Sequence, residues 1–208
     1  QAGWEEACEL RSLRISRITV QPNWQQQGLG QRLIAQVKQQ QIKQQGAVDF
    51  LSVSFGYTPE LLAFWQKCGF VLVHFSESKE ASSGCYSVVA LCPLSEEGQA
   101  FVQRAEKQFQ RNLPLSFHPL ATQFARTEID WTLDCSDWRS LKDFADFFLP
   151  LSSALPSIRR LMKSAGELPF PLFADYCKQP EKRPNKKIWL ENCRREVKKW
   201  LQKNAVLL

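Results

Sequence analysis

The chain has 208 residues, 44% hydrophobic and 23% charged, with 27 lysines and arginines against 21 aspartates and glutamates, for a net charge of +6. This is ordinary globular composition, sufficient for one large domain or two small ones, and it excludes wholesale disorder. No stretch approaches the roughly 18 uncharged apolar residues that read as a membrane span, and the acidic start QAGWEEACEL lacks the apolar run of a secretory signal.

LRISRITV, Leu13 to Val20, is rich in β-branched residues and is followed by a Pro22–Asn23 turn, which predicts a strand. A polar turn, Gln25–Gly30, leads into a helix over 29–45 with Leu29, Leu33, Val37 and Ile42 near helical spacing and Gly46 as its stop. Phe50–Phe55 predicts a second strand, ended by Gly56. A short helix follows, with Thr58 as N-cap, Pro59 in its first turn and Gly69 at its end. Residues 71–75 and 86–94 predict two more strands. Strands alternating with helices in this way predict an α/β layered domain.

Beyond Pro93 the pattern turns helical. Ser95 caps a helix to about Arg111, and a loop with Pro114 and Pro119 follows. Asp137 is expected to open a helix whose apolar face holds Trp138, Leu141, Phe144 and Phe148, and Pro150 to end it. A helix near 157–165 stops at Gly166. The Pro-rich segment 169–184 reads as a linker to a last helix over 186–204, with Ile188, Leu190, Cys193, Val197, Trp200 and Leu201 apolar. The expected division is residues 1–115 as the α/β part and 116–208 as an all-α, basic part.

The seven cysteines form no CxxC pair, and the histidines are only His74 and His118. Neither a disulfide framework nor a metal centre is expected, and the thiols read as reduced, mostly buried and cytosolic. Charge is uneven: residues 1–115 carry a net +1 and 116–208 a net +5. The stretch 178–203 has ten basic residues against Glu181, Glu191 and Glu196. That asymmetry fits a surface that meets a polyanion, although a merely solvated helix face gives the same pattern.

The segment that carries chemistry is RITVQPNWQQQGLGQRLI. A strand, a Gln-x-x-Gly-x-Gly turn and a helix suit a pyrophosphate: Gly28 and Gly30 let the backbone come close, and the amides of the new helix point at the anion. The three-glycine spacing of a dinucleotide fingerprint and the lysine of a Walker loop are both absent.

This segment resembles motif A of the GNAT acetyltransferases, and LSVSFGYTPELLAFWQKCGFVLVHF resembles the strand, helix and strand that follow it there. SVSFGYTPELLAFWQKCGF, with SSGCYSVVAL after it, resembles more narrowly the RNA cytidine acetyltransferase family, the bacterial members acting on tRNA(Met) in particular. The likeness is strong over about 11–110, and the helical tail agrees in position with the family's tRNA-binding region. It implies a GNAT-like mixed sheet with flanking helices, lacking its N-terminal strands, followed by the helical domain.

The implied activity is acetyl transfer from acetyl-CoA to the exocyclic amine of a cytidine in tRNA, the wobble cytidine of elongator tRNA(Met). It also implies ATP or GTP at an upstream module that this chain does not contain. The cofactor is held, by resemblance, at the strand end Ile18, Thr19 and Val20 and in the loop Gln25, Gln26, Gln27, Gly28, Leu29, Gly30 and Gln31. Glu60 and Lys67 on the next helix line it too. The candidate RNA contacts are Lys182, Arg183, Lys186, Lys187, Arg194, Arg195, Lys198 and Lys199.

Two features depart from the family pattern. Trp65 stands where many GNAT enzymes place a tyrosine that protonates the CoA thiolate, and an indole is no acid. Only about a dozen residues precede motif A, and the only methionine is Met162. The expectation is therefore part of a longer protein, inactive toward tRNA by itself. The amides near Thr19–Val20 are the expected stabilisers of the oxyanion, while the base is not assigned: His74 is one candidate, although a lone histidine in a strand is more often structural, and Tyr86 is a weaker one. A GNAT acting on protein or small amines, and a non-catalytic RNA-binding piece, stay open as alternatives.

Overall fold

The computed structural model describes residues 4–43, 48–125, 128–180 and 186–204. The fold class is the expected one, a mixed α/β sheet with flanking helices followed by helices alone. Four strands, β1 (Ser12–Ile15), β2 (Phe50–Gly56), β3 (Val71–Lys79) and β4 (Tyr86–Pro93), lie in the order β1-β2-β4-β3. β1 runs parallel to β2 across a crossover through α1 (Leu29–Lys43), and the other pairings are antiparallel. α2 (Pro59–Lys67) joins β2 to β3, and α3 (Glu96–Asn112) follows β4.

Strand alternation sends β2 side chains to two cores. Leu51 and Val53 pack with Ile34 of α1, Trp65 of α2 and Phe70. Phe50 packs on the other face with Leu91 of β4 and Phe101 and Val102 of α3. Three elements meet at Asp49. Its backbone N–H donates to the Arg11 carbonyl at 2.7 Å, and its carbonyl accepts from the Leu94 and Ser95 amides. Its carboxylate accepts from the Arg11 amide and the Ser95 hydroxyl, both at 2.8 Å. The Ser95 hydroxyl also accepts from the Gly98 amide, the cap expected of it. Gly98 presses so closely here that a Cβ would stand 1.9 Å from the Asp49 carbonyl oxygen.

Several expectations need correction. The first strand ends at Ile15 rather than Val20. On α1 the buried residue is Ile34, while Leu33 and Ile42 are exposed. The proposed stop Gly46 lies outside the described residues. Thr58 does cap α2, its hydroxyl accepting from the Leu61 amide. All seven cysteines are free, and although Cys68, Cys92 and Cys193 are buried, Cys8 and Cys135 are exposed.

The chain divides within α3 into two compact units, one from Trp4 to Gln110 and one starting at Arg111. The second is built from α4 (Ala121–Phe124), α5 (Cys135–Ala145), α6 (Leu151–Ala165), α7 (Pro171–Lys178) and α8 (Lys186–Lys203). Asp134, not Asp137, caps α5, and the two form a reciprocal capping box. α5 ends before Phe148, which is exposed rather than part of the apolar face. α6 starts at Leu151 and carries Pro156 inside. The missing backbone donor is outweighed by burial of Ala154, Leu155, Ile158 and Leu161. The supposed linker contains α7, whose Leu172 amide donates at 3.1 Å to the Glu196 carboxylate on α8.

Under these helices lies a buried charge network. The Asp137 carboxylate, fully buried, meets the fully buried Arg160 guanidinium at 2.9 Å and Arg111 at 2.9 Å, and accepts from the Ser157 hydroxyl at 2.7 Å. Arg160 donates further to Asn112 Oδ1 and to the carbonyls of Arg111 and Asp130, each at 2.8 Å. Breaking a buried pair leaves an uncompensated charge. Asp137→Ala is therefore expected to cost about 3–5 kcal/mol, read by urea denaturation. A change below about 1 kcal/mol would show that water reaches the network.

Asp130 adds a pH dependence. The Thr132 hydroxyl and the Arg111 guanidinium hold its carboxyl far below the ordinary range. Its contribution is complete above about pH 4 and lost as pH falls below that value. Asp130→Asn should therefore flatten the acid limb of a stability–pH curve and leave its shape above pH 5 unchanged.

Candidate functional site

β1 pairs with β2 from Ser12↔Phe50 to Ile15↔Val53, and there the parallel ladder stops. β2 continues for Ser54, Phe55 and Gly56, held by β4 on its other side. Residues 16–20 run on without joining the sheet. The ladder thus opens beyond Ile15 and Val53, with β2 on one side and the non-strand residues Ile18, Thr19 and Val20 on the other. Ile18 packs against the α1/α2 core and Thr19 is exposed.

The loop then folds back on the strand. A short 3-10 turn, Pro22–Trp24, closes with the Trp24 amide on the Gln21 carbonyl at 2.8 Å. The Gln25 side-chain amide donates to the Val20 carbonyl at 2.9 Å, and that of Gln27 to the Asn23 carbonyl at 3.2 Å. Gln25 and Gln27 therefore shape the loop through their side chains, a role their place in a polar turn does not reveal. Gln26 and Gly28 take positive φ, +59° and +77°. This bends the chain so that Leu29, Gly30 and Gln31 open α1. The Arg32 amide bonds the Gly28 carbonyl as the first intrahelical link, so the amides before it face the loop. A helix start of this kind favours an anion.

Gly28 and Gly30 do different work. Gly28 supplies the left-handed conformation, in which a side chain is strained. Gly30 supplies room: a Cβ there would come within 3.0 Å of Phe64 Cε2 on α2 and 3.9 Å of Val20 Cγ2. Glu60, Phe64 and Lys67 stand at i, i+4 and i+7, so they share one stripe of α2. The stripe that packs against Gly30 is thus the one that carries both expected cofactor residues. Phe64 was missed in the sequence, and that spacing was the available signal. Glu60 and Lys67 are exposed. Its own backbone amide and the Thr58 hydroxyl hold the Glu60 carboxyl below its ordinary value, which ties it to the N-terminus of α2.

Trp65 and His74 fall away from the opening. Trp65 is buried and packs on Phe55, Phe64 and Phe70 at 6.0, 5.1 and 4.9 Å between ring centres, so it belongs to the core. His74 lies on β3, the far edge strand, with β4 between it and β2. Tyr86 opens β4 beside the end of β2, its carbonyl accepting from the Tyr57 amide at 2.8 Å.

On α8, Lys186, Lys187, Arg195 and Lys199 are exposed. Lys198 is also exposed but pairs with Asp146 at 2.9 Å. Arg194 corrects the expected surface. It is buried, and its guanidinium donates to the Phe144 and Leu149 carbonyls and lies over the Phe144 ring at 4.4 Å. It satisfies carbonyls at the end of α5, where a cation is favoured, and this removes it from the RNA-facing set. Trp189 is buried and Ile188 exposed, so the inward stripe runs through Trp189, Cys193 and Val197. Lys182 and Arg183 lie outside the described residues. No described helix is long and apolar enough to cross a membrane.

The family model described as tRNA-binding domain matches residues 98–206, more than half of the chain. The chain belongs to that family. A model described as GNAT acetyltransferase 2 matches residues 37–95. Relatives named tRNA(Met) cytidine acetyltransferase TmcA include one from Haemophilus influenzae, 56% identical over 97% of this chain and 30% of its own length. Others are from Actinobacillus pleuropneumoniae, 43% identical over 95% of this chain and 34% of the relative, and Haemophilus ducreyi, 40% over 95% and 33%. The chain therefore spans about a third of the length of these relatives. A Bacillus subtilis acetyltransferase solved in complex with CoA overlaps 40% of this chain and 62% of its own, at 21% identity and TM-score 0.36.

The loop geometry gives a direct test. Gly28→Val strains the left-handed turn, and Gly30→Val drives α1 off Phe64. Each is expected to lower affinity for acetyl-CoA at least about tenfold by calorimetry, with circular dichroism unchanged. Parental affinity in both variants would separate the glycines from the cofactor.

Proposed function

We propose that this chain forms the acetyl-CoA-binding and tRNA-binding part of an RNA cytidine acetyltransferase. It moves the acetyl group of acetyl-CoA to the exocyclic amine of a cytidine in tRNA. The finer reading is the wobble cytidine of elongator tRNA(Met), in the cytoplasm, with ATP or GTP used by a module outside this chain. The observation that carries the proposal is the parting of β1 and β2 at Ile15 and Val53, with a glycine loop and helix start beside it. The tRNA-binding-domain match beyond it supports the nucleic-acid substrate.

In this reading the thioester lies along the unladdered backbone of residues 18–20, and the pyrophosphate meets the amides of Leu29, Gly30 and Gln31. Gln25 holds the Val20 carbonyl, which ties the loop to the end of the strand. The cytidine amine is a weak nucleophile, its lone pair conjugated with the ring. Its nitrogen attacks the thioester carbonyl, and the Thr19–Val20 amides receive the charge on the carbonyl oxygen. The amine then gives up a proton and the C–S bond breaks, releasing CoA as its thiolate, which takes up a proton. Trp65 has no part in that last step. Sheet order favours Tyr86 over His74 as a group near the reacting atoms.

Two measurements test the proposal. Mass spectrometry of nucleosides from tRNA incubated with acetyl-CoA and ATP should show acetylcytidine when the chain is present at the full length of its relatives. The 208-residue chain alone should give none. Acetylation of protein or polyamines but not tRNA would replace this reading. For binding, Lys187, Arg195 and Lys199 changed to Glu should weaken tRNA binding and leave acetyl-CoA affinity as it is. Each lost phosphate contact should lower the log–log salt slope by roughly 0.7 to 0.9. An unaltered binding curve would return α8 to ordinary surface.

A further inference from the structure

The turn between α5 and α6, residues 146–150, presents two aromatic rings to solvent. Phe147 is 65% exposed and Phe148 81%. Phe147 takes φ +71°, a left-handed backbone uncommon for any bulky residue. The turn is held from beneath. The Phe148 and Leu149 amides donate to the Asp143 carbonyl at 2.8 and 3.2 Å, and Leu149 is buried. Arg194 lies between two rings, 4.4 Å from the Phe144 centroid and 4.7 Å from that of Phe147. A strained, anchored turn that holds two phenyl groups outward is costly for a surface without a partner.

The surroundings select the partner. Arg194 brings this part of α8 against the turn, and one turn further Lys198 pairs with Asp146 at 2.9 Å. Arg195 and Lys199 are exposed on the same stretch of α8. Within residues 143–150 the acidic groups are Asp146, already paired, and the half-buried Asp143. Exposed aromatic rings beside a helix that carries exposed cations suit a nucleotide whose base stacks on a ring while its phosphates meet the cations. Only an unpaired base offers its face, since bases in a helix are stacked on one another.

We infer that Phe147 and Phe148 form a stacking platform for an unpaired base of the bound RNA. This rests on the reading of the second unit as tRNA-binding and deepens it. The basic residues hold backbone of any sequence, and the platform adds a preference for single-stranded elements over duplex.

The test uses the protein at the length of its relatives, carrying Phe148→Ala, Phe148→Trp, or the joint reversal Arg195→Glu and Lys199→Glu. Binding is titrated with tRNA and with a blunt RNA duplex at two salt concentrations. Phe148→Ala should weaken tRNA binding roughly 5- to 150-fold, with its salt slope, duplex affinity and melting temperature unchanged. Phe148→Trp should restore tRNA binding. Parental tRNA affinity in Phe148→Ala, with the charge reversal still weakening binding, would overturn the platform and leave the tRNA reading standing. If neither change weakens binding, both fall. Equal losses for tRNA and duplex, or a changed melting temperature, would mean that the turn packs against protein, and would overturn the platform too.

Discussion

Asp137 and Arg160 are the charges around which the helical unit is assembled. Both are fully buried, and a charge out of water is tolerated only when paired and fully hydrogen-bonded. The Asp137 carboxylate meets two guanidiniums and a serine hydroxyl, and Arg160 finds carbonyls of residues 111 and 130. Those partners come from α3, the segment before α5, α5 itself and α6. The network therefore fixes which helices lie together, which an apolar core of interchangeable leucines specifies less sharply. Its first arginine, Arg111, opens the second unit, so the network starts where that unit does.

In the first unit the corresponding constraint is a ladder that stops. Four residues of β1 satisfy β2, and the chain then leaves the sheet with its polar backbone unladdered. Such groups need other partners. One is internal, the Gln25 side-chain amide on the Val20 carbonyl. The opening is held from both sides. Asp49 ties the start of β1, the end of β4 and the start of α3 to the base of β2. On the other side Gly30 brings α1 against Phe64.

Much of this was legible from the chain. The order of strands and helices followed from alternation and helical spacing, and Thr58 and Ser95 act as the caps they resembled. The loop was visible because its glycines stand between a strand and a helix. What misled was local. β-branched residues continue to Val20, so nothing in their pattern marks the departure at Ile15. Asp137 reads as a cap, yet Asp134 takes that position and frees Asp137 for Arg160. Pro156 stands inside a helix that was expected to begin only near residue 157, and Pro171 opens a helix in the segment expected as a linker.

The basic helix shows the division most clearly. By itself the sequence determined that α8 is helical, basic and amphipathic, because those properties depend on residue type and spacing. It did not determine which cations face solvent. Arg194 and Arg195 are neighbours with the same chemistry, and 100° of helical rotation separates a buried cap from an exposed charge. Only the end of α5, with carbonyls to be met and an aromatic ring to lie on, decides that Arg194 turns inward. α7 is likewise settled from outside, by a carboxylate on α8 that meets the first amides of that helix. Periodicity records what each segment prefers, whereas the partners of buried polar groups come from residues far away in the chain, and those only the folded structure brings near.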